Sequence, residues 1–380
     1  MSIVIKQVTS RHNLKTFVLL PEKLYQNHPA WVPPLFSDEM RFFDPKHNES
    51  FVKHETIMAL AWRQNKPVGR IMGIINPQYN KSHNELHARF CFLDCENDPD
   101  VLNALIRFVE QWAYSKGMTH LVGPMGFSDK DPQGFMVEGF GERPVIATNP
   151  NPEFLPQMIQ KQGFEKLYDL VSYLIPVPEH LPERYQNALK RLRSNKSFQL
   201  VEFDKKKQLK PWIVPVFRLI NQAYTNIYGF DPLTDREMHE LAKRYLPILD
   251  PKFVKLVVDT EGNLLAFIIG MPEISEGIRK ARGRIFPFGW WHILREWRTT
   301  KLLTLLLGAV HPDRRNHGLT LLLTESILNS ARKRGITLID SHLILEYNQL
   351  MRAEYERLNG RLHKRFRIYI RPISVDSALA

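Results

Sequence analysis

Residues 302–334 constrain the fold more than any other stretch. An apolar run of strand length, Leu302 to Val310, leads through the turn VHPDRRNHGLT into a segment where Leu319, Leu322, Leu323, Ile327 and Ala331 recur at helical spacing. A strand followed directly by a helix with one apolar face predicts a sheet with that helix packed on it, an α/β layering. The packed face would hold the first turn of the helix in place. Its free backbone N–H groups and the positive end of the helix then coincide at Gly318, where they form a ready site for a phosphate group.

Within the turn, Val310, Pro312, Arg315 and Gly318 match the pattern hydrophobic-x-Pro-x-x-Arg/Gln-x-x-Gly-x-Gly/Ala. Thr320 stands where the pattern has its second small residue. The stretch resembles the acyl-CoA-binding signature of the GNAT acyltransferase superfamily. The resemblance implies acetyl-CoA or a longer acyl-CoA as co-substrate, its pyrophosphate held by Val310, Arg315, Asn316, His317, Gly318, Leu319 and Thr320. Downstream, NQLMRAEYERLNG resembles a second segment of the family through Asn348, Ala353 and Tyr355. There the resemblance implies that Tyr355 protonates the departing thiolate and that Asn348 holds the pantetheine arm. A phenol, with a pKa near ~10, is a reasonable proton donor to a thiolate. The general base is less marked. Glu346, just after the strand expected to border the cleft, is the preferred residue, with His311, Glu273 and Glu276 as alternatives.

The chain has 380 residues, more than one core usually serves, so two domains are expected. Each half reads as a hairpin, a strand, a long helix, a strand, a short helix and a final strand, which points to internal duplication. The expected fold is mixed α/β: two tandem GNAT-like domains, residues 1–178 and 179–380, each a twisted mixed sheet flanked by helices. The WVPP stretch and the GPMGF loop resemble features of a bacterial family of uncharacterised tandem GNAT proteins. At the place of the phosphate turn the first half has LDCENDPDVLN, with Asp94, Glu96, Asp98 and Asp100, and no Arg-x-x-Gly. Clustered carboxylates repel a pyrophosphate. Counting back from the following glycines, Met158 is the counterpart of Tyr355. CoA binding and chemistry are therefore expected in the second half, with the glycine-rich loop of residues 123–144 as a lid or lining loop.

An insert, residues 273–301, has no equivalent in the first half. It interleaves Phe286, Phe288, Trp290, Trp291 and Trp297 with Arg284, Arg295, Arg298 and Lys301. Such a mixture suits an acyl or acceptor pocket, a peripheral membrane contact, stacking on nucleotides, or simply a helix over the sheet with a wet basic edge. The excess of 52 basic over 40 acidic residues favours an anionic partner. Cys91 and Cys95, roughly 13 Å apart along a strand, suggest reduced buried thiols in a cytoplasmic protein. No secretory signal or membrane-spanning run is read. Metal-ligand spacings, a GxSxG elbow and a P-loop are also missing, which argues against zinc, serine-hydrolase and NTPase chemistry. The expected reaction is transfer of an acyl group from acyl-CoA to a small-molecule or peptide amine. The alternatives are an aminoacyl-tRNA-dependent transferase of tandem GNAT-like type and a non-catalytic acyl-CoA sensor.

Overall fold

A computed structural model describes residues 2–28, 31–143, 145, 148, 150–225 and 227–374. Pro29 and Ala30, next to the WVPP stretch, Pro144 of the glycine-rich loop and Asn226 lie outside the described residues. The first half runs β1 (Val4–Gln7), α1 (Arg11–Leu24), α2 (Phe36–Phe42), α3 (Ser50–Lys53), β2 (Glu55–Arg63), β3 (Lys66–Ile75), α4 (Pro77–His83), β4 (His87–Cys95), α5 (Pro99–Ser115), β5 (His120–Gly123), β6 (Phe135–Glu138), α6 (Phe154–Lys161) and β7 (Glu165–Pro176). The second half follows with α7 (Glu183–Ser194), β8 (Phe198–Glu202), α8 (Ile213–Ala223), α9 (Asp235–Tyr245), β9 (Val254–Asp259) and β10 (Leu264–Pro272). It continues through α10 (Ser275–Lys280), α11 (Gly289–Thr299), β11 (Leu302–Val310), α12 (Leu319–Lys333), β12 (Leu338–Asp340), β13 (Ile344–Leu345), α13 (Gln349–Arg357) and β14 (Arg361–Pro372).

Among the described residues all fourteen strands form one sheet, ordered β1-β2-β3-β4-β5-β14-β7-β12-β11-β10-β9-β8, with β6 on β14 and β13 on β7. The two halves exchange their last strands. β14 pairs with β5 of the first half, β7 pairs with β12 of the second, and β7 and β14 pair with each other at the centre. Helices cover both faces. Against one face, α5 packs on the first half and α12 on the second, each burying its apolar stripe (Val101, Leu102, Leu105, Ile106 and Val109 in α5; Leu319, Leu322, Leu323, Ile327 and Ala331 in α12). The other face is covered by α1 and α2, by α8, and by the α10–α11 insert.

Three features depart from the reading of the sequence. The loop after β5 contains strand β6, whose FMVE is hidden between glycines and holds because β14 supplies its ladder. The apolar stretch of residues 337–344 is broken after Asp340, because its neighbour β11 turns away there and Ser341 bonds β7 instead. β14 spans twelve residues, long for a final strand, since it pairs with strands of both halves.

Candidate functional site

The site is the opening between β11 and β12. These parallel strands pair only at Leu302↔Leu338, Leu303↔Ile339 and Thr304↔Asp340, and then separate. Separation is helped by a bulge: β10 pairs Ile269 with Leu307 and Gly270 with Leu305, which leaves Leu306 as the extra residue of β11. Across the gap, His342 adopts φ +59°, a left-handed conformation that bends the chain away, and the Ser341 hydroxyl accepts the Tyr173 amide. From Thr304 to Val310, β11 covers roughly 20 Å, and the predicted anion turn lies at its far end.

That turn leaves several backbone amides open. Gly318 is the N-cap of α12 at φ +77° and provides no side-chain cap. Among the described residues, no group accepts a hydrogen bond from the amides of Asn316, Gly318, Leu319 or Thr320. A Cβ at Gly318 would sit in a strained backbone and 2.8 Å from Leu192 of α7. In the first half the equivalent position is closed: the N-cap of α5 is Asp98, whose carboxylate accepts the Asp100 amide and pairs with Arg63. There too the parallel strands part, after Arg89↔Val122, but Arg89 donates across to the carbonyls of Gly126 and Phe127. A cavity of about 440 Å³ opens in the first half beside Tyr25, Cys95, Glu96 and Phe154.

The other expected residues fall as follows. Val310 faces the α12 side of the sheet. The exposed Arg315 donates to the Ala223 carbonyl at 3.2 Å, and the His317 ring contacts the Arg315 carbonyl. Leu319 is buried in the core and Thr320 is exposed on the first turn of α12. Asn348 caps α13, its side chain accepting the Met351 amide at 3.2 Å. Tyr355 is buried beside Tyr173, and Met158 lies in the first-half core. Burial pushes the Tyr355 phenol far above its ordinary pKa, with further contributions from Tyr224 and Asp340. Tyr224 comes from α8 on the opposite face, where its hydroxyl donates to the Gly308 carbonyl at 3.0 Å. Burial pushes its pKa up to about 12.

Glu346 sits in an ion-pair network: Lys166 holds it at 2.7 Å, the Asp169 amide donates to Oε1 at 3.1 Å, and Arg365 lies 3.6 Å away. Of the alternatives, Glu273 is buried and accepts from Ser275 and Thr304, Glu276 pairs with Arg279 and Lys280, and His311 accepts the Asp313 amide.

What the sequence reading missed is a buried polar cluster where β11 and β12 part. Asp340, fully buried, accepts from Ser172 at 2.8 Å and lies 2.9 Å from His363 Nε2 and 3.5 Å from Lys364 Nζ. Burial alone would raise its pKa, but His363, Lys364 and Ser172 outweigh that and hold the carboxyl below the usual range. Its Oδ1 also accepts the His342 amide at 2.9 Å. Burial depresses the pKa of the His342 imidazole, against a smaller opposite pull from Asp340. The first half reaches this cluster through its loop, where Glu142 pairs with Arg361 and lies 3.5 Å from His363 Nδ1. The one signal in the sequence was Asp340-Ser341-His342, three polar residues interrupting an apolar strand.

No protein-family model matches the chain. It is 28% identical over 368 residues to the bacterial ceramide synthase of Caulobacter vibrioides (strain NA1000 / CB15N), covering 94% of each protein. It is 26% identical over 381 residues to protein YghO of Escherichia coli (strain K12), covering 97% of this chain and 95% of that one. Among solved structures, a tandem GNAT protein from the clavulanic acid biosynthesis pathway superposes with a TM-score of 0.57 at 12% identity, over 98% of this chain and 99% of that one. A GCN5-related N-acetyltransferase from Sphaerobacter thermophilus gives 0.51 at 10% identity, over 98% and 96%.

Proposed function

We propose, from the premise that this chain has the tandem GNAT acyltransferase fold, that it transfers an acyl group from acyl-CoA to the amine of a long-chain amino alcohol. The observation that carries the reading is the parted pair β11 and β12, ending at an uncapped helix with four open amides. That arrangement suits a long thioester lying between strands with its pyrophosphate on the turn. The likeness to a ceramide synthase across nearly the whole chain supports a long-chain amine as acceptor, since a ceramide is an N-acylated long-chain amino alcohol.

In this reading the amine enters from the α8 and insert side and His342, kept neutral by burial, takes its proton. The nitrogen lone pair attacks the thioester carbonyl, whose oxygen faces the unpaired backbone at the Leu306 bulge. A C–N bond forms, the C–S bond breaks, and Tyr355 delivers a proton to the sulfur. Asp340, fixed by Ser172, His363 and Lys364, positions the His342 backbone through its amide. The first half does not bind CoA in this scheme, and its loop contributes Glu142 to the support of the cluster.

The test follows free thiol and amide product with a long-chain acyl-CoA, acetyl-CoA and a long-chain 2-amino-1,3-diol, in wild type and Thr320→Glu. A carboxylate on the first turn of α12 leaves the helix intact but repels the pyrophosphate, so kcat/KM should fall roughly tenfold or more with Tm unchanged. Absence of thiol release from either donor in wild type would refute the proposal.

A further inference from the structure

The α10–α11 insert leaves its aromatic side chains in solvent. Phe286 is 80% exposed, Phe288 73%, Trp290 49% and Trp291 47%, and Leu294 adds to the same face. A surface of large apolar groups this open needs a partner. Among the described residues, Arg295, Arg298 and Lys301 form no ion pair with a carboxylate, and Arg295 lies over the Trp291 ring at 5.4 Å. The segment of residues 275–301 holds seven Lys and Arg against two Glu.

The inner side of the same helix is well anchored. Ile293 and Trp297 pack with Met271, Ile274 and Ile278, and with Leu306, the bulge residue of β11. Arg334 stacks on Trp297 at 4.2 Å, and Arg143 pairs with Glu296 at 2.8 Å. The aromatic face is therefore a rigid platform one side-chain layer from the opening. No helix among the described residues is long and apolar enough to cross a membrane.

We propose that this face docks on the surface of an anionic phospholipid bilayer, the rings entering the headgroup layer and the three unpaired cations meeting lipid phosphates. Charge complementarity selects this occupant: a protein core would leave those cations unpaired, whereas an anionic interface pairs them and takes up Trp and Phe. Docking there turns the acceptor side of the gap toward the lipid that would hold a long-chain amine. This last step rests on the acyl-transfer reading, but the docking itself does not.

The experiment is co-sedimentation of the full chain with phosphatidylcholine vesicles, with and without phosphatidylglycerol, read with no acyl donor present. Tryptophan emission is recorded in parallel. Binding is expected only with the anionic vesicles, with a blue shift, and should weaken as salt rises. Arg295→Gln, Arg298→Gln and Lys301→Gln should each lower the partition constant roughly fivefold. Phe286→Ser with Phe288→Ser should abolish the shift while keeping the wild-type Tm. Absence of binding to anionic vesicles, or equal binding by the variants, would overturn the proposal. So would a wild-type dimer that Phe286→Ser with Phe288→Ser makes monomeric, since the face would then belong to a second copy of the chain. Vesicle binding by a protein that shows no turnover would uphold docking and remove the acyl-transfer reading, so the two fail separately.

Discussion

At Tyr355 and His342 the chemistry depends on what burial does to a proton. A phenol whose pKa is raised stays protonated across the working range, so the proton is in place when the thiolate forms, although it is held more tightly than in a free phenol. Tyr355→Phe keeps the ring against Tyr173 and removes only that proton, so we expect a loss of about 10²- to 10⁴-fold in kcat with Tm within a degree or two. Unchanged kcat would take the acid role away from Tyr355. For His342 the sign is opposite. Burial lowers the pKa of a group that must be neutral to act, so activity should stay level as pH falls from 8 to about 6.5 and decline only below the ordinary histidine value. In His342→Asn the residual rate should lack that acidic limb. A limb that survives the substitution would place the base elsewhere.

Among the elements, α12 and α5 show how one residue decides what a helix end does. Around Gly318 four amides stay open at the start of α12, whereas Asp98 fills the same place on α5 with its own carboxylate. The loop after β5 makes a second case. Asp131 is half-buried there and accepts the amides of Phe127 and Ser128, and the loss of water around it raises its pKa to about 6 from an ordinary 3.8. The folded state thus holds this proton more tightly than the unfolded state. Its contribution is present at low pH and lost as pH rises through about 6. Asp131→Asn preserves an acceptor for both amides without the charge. It should be neutral at pH 4 and stabilising at pH 8, on the order of 1–3 kcal/mol, measured by denaturant unfolding at both values. Equal effects at the two pH values would show that folding does not raise the pKa of this carboxyl.

For the whole molecule, the exchange of β7 and β14 makes each half incomplete without the other. Residues 1–178 alone would lack β14 against β5, and residues 179–380 alone would lack β7 against β12. Each piece would expose the edge of a buried strand. We expect neither piece to unfold cooperatively alone and the mixture to regain one transition, followed by circular dichroism on heating. A cooperative melt from either piece by itself would show that the halves are independent domains. The bond between halves also reaches the site: Gly139, at φ +91°, lies so close to β14 that a Cβ would fall 2.2 Å from the His363 carbonyl. Any larger residue there would displace the strand carrying His363 and Lys364.

What the sequence determined by itself was local. The apolar run, Gly318 and the helical stripe of residues 319–331 dictate a strand, an open turn and a packed helix, because each depends on residues within one or two turns of chain. The acidic cap of α5 was legible for the same reason. Tertiary structure decided the rest. Glu346 looked free as a residue after a strand, but Lys166 and Arg365, far away in sequence, occupy it. Asp340, His363 and Ser172 come from three strands and acquire meaning only where β7, β12 and β14 meet. The strand exchange has no local signature, since a strand reads the same whichever half supplies its hydrogen-bond partners.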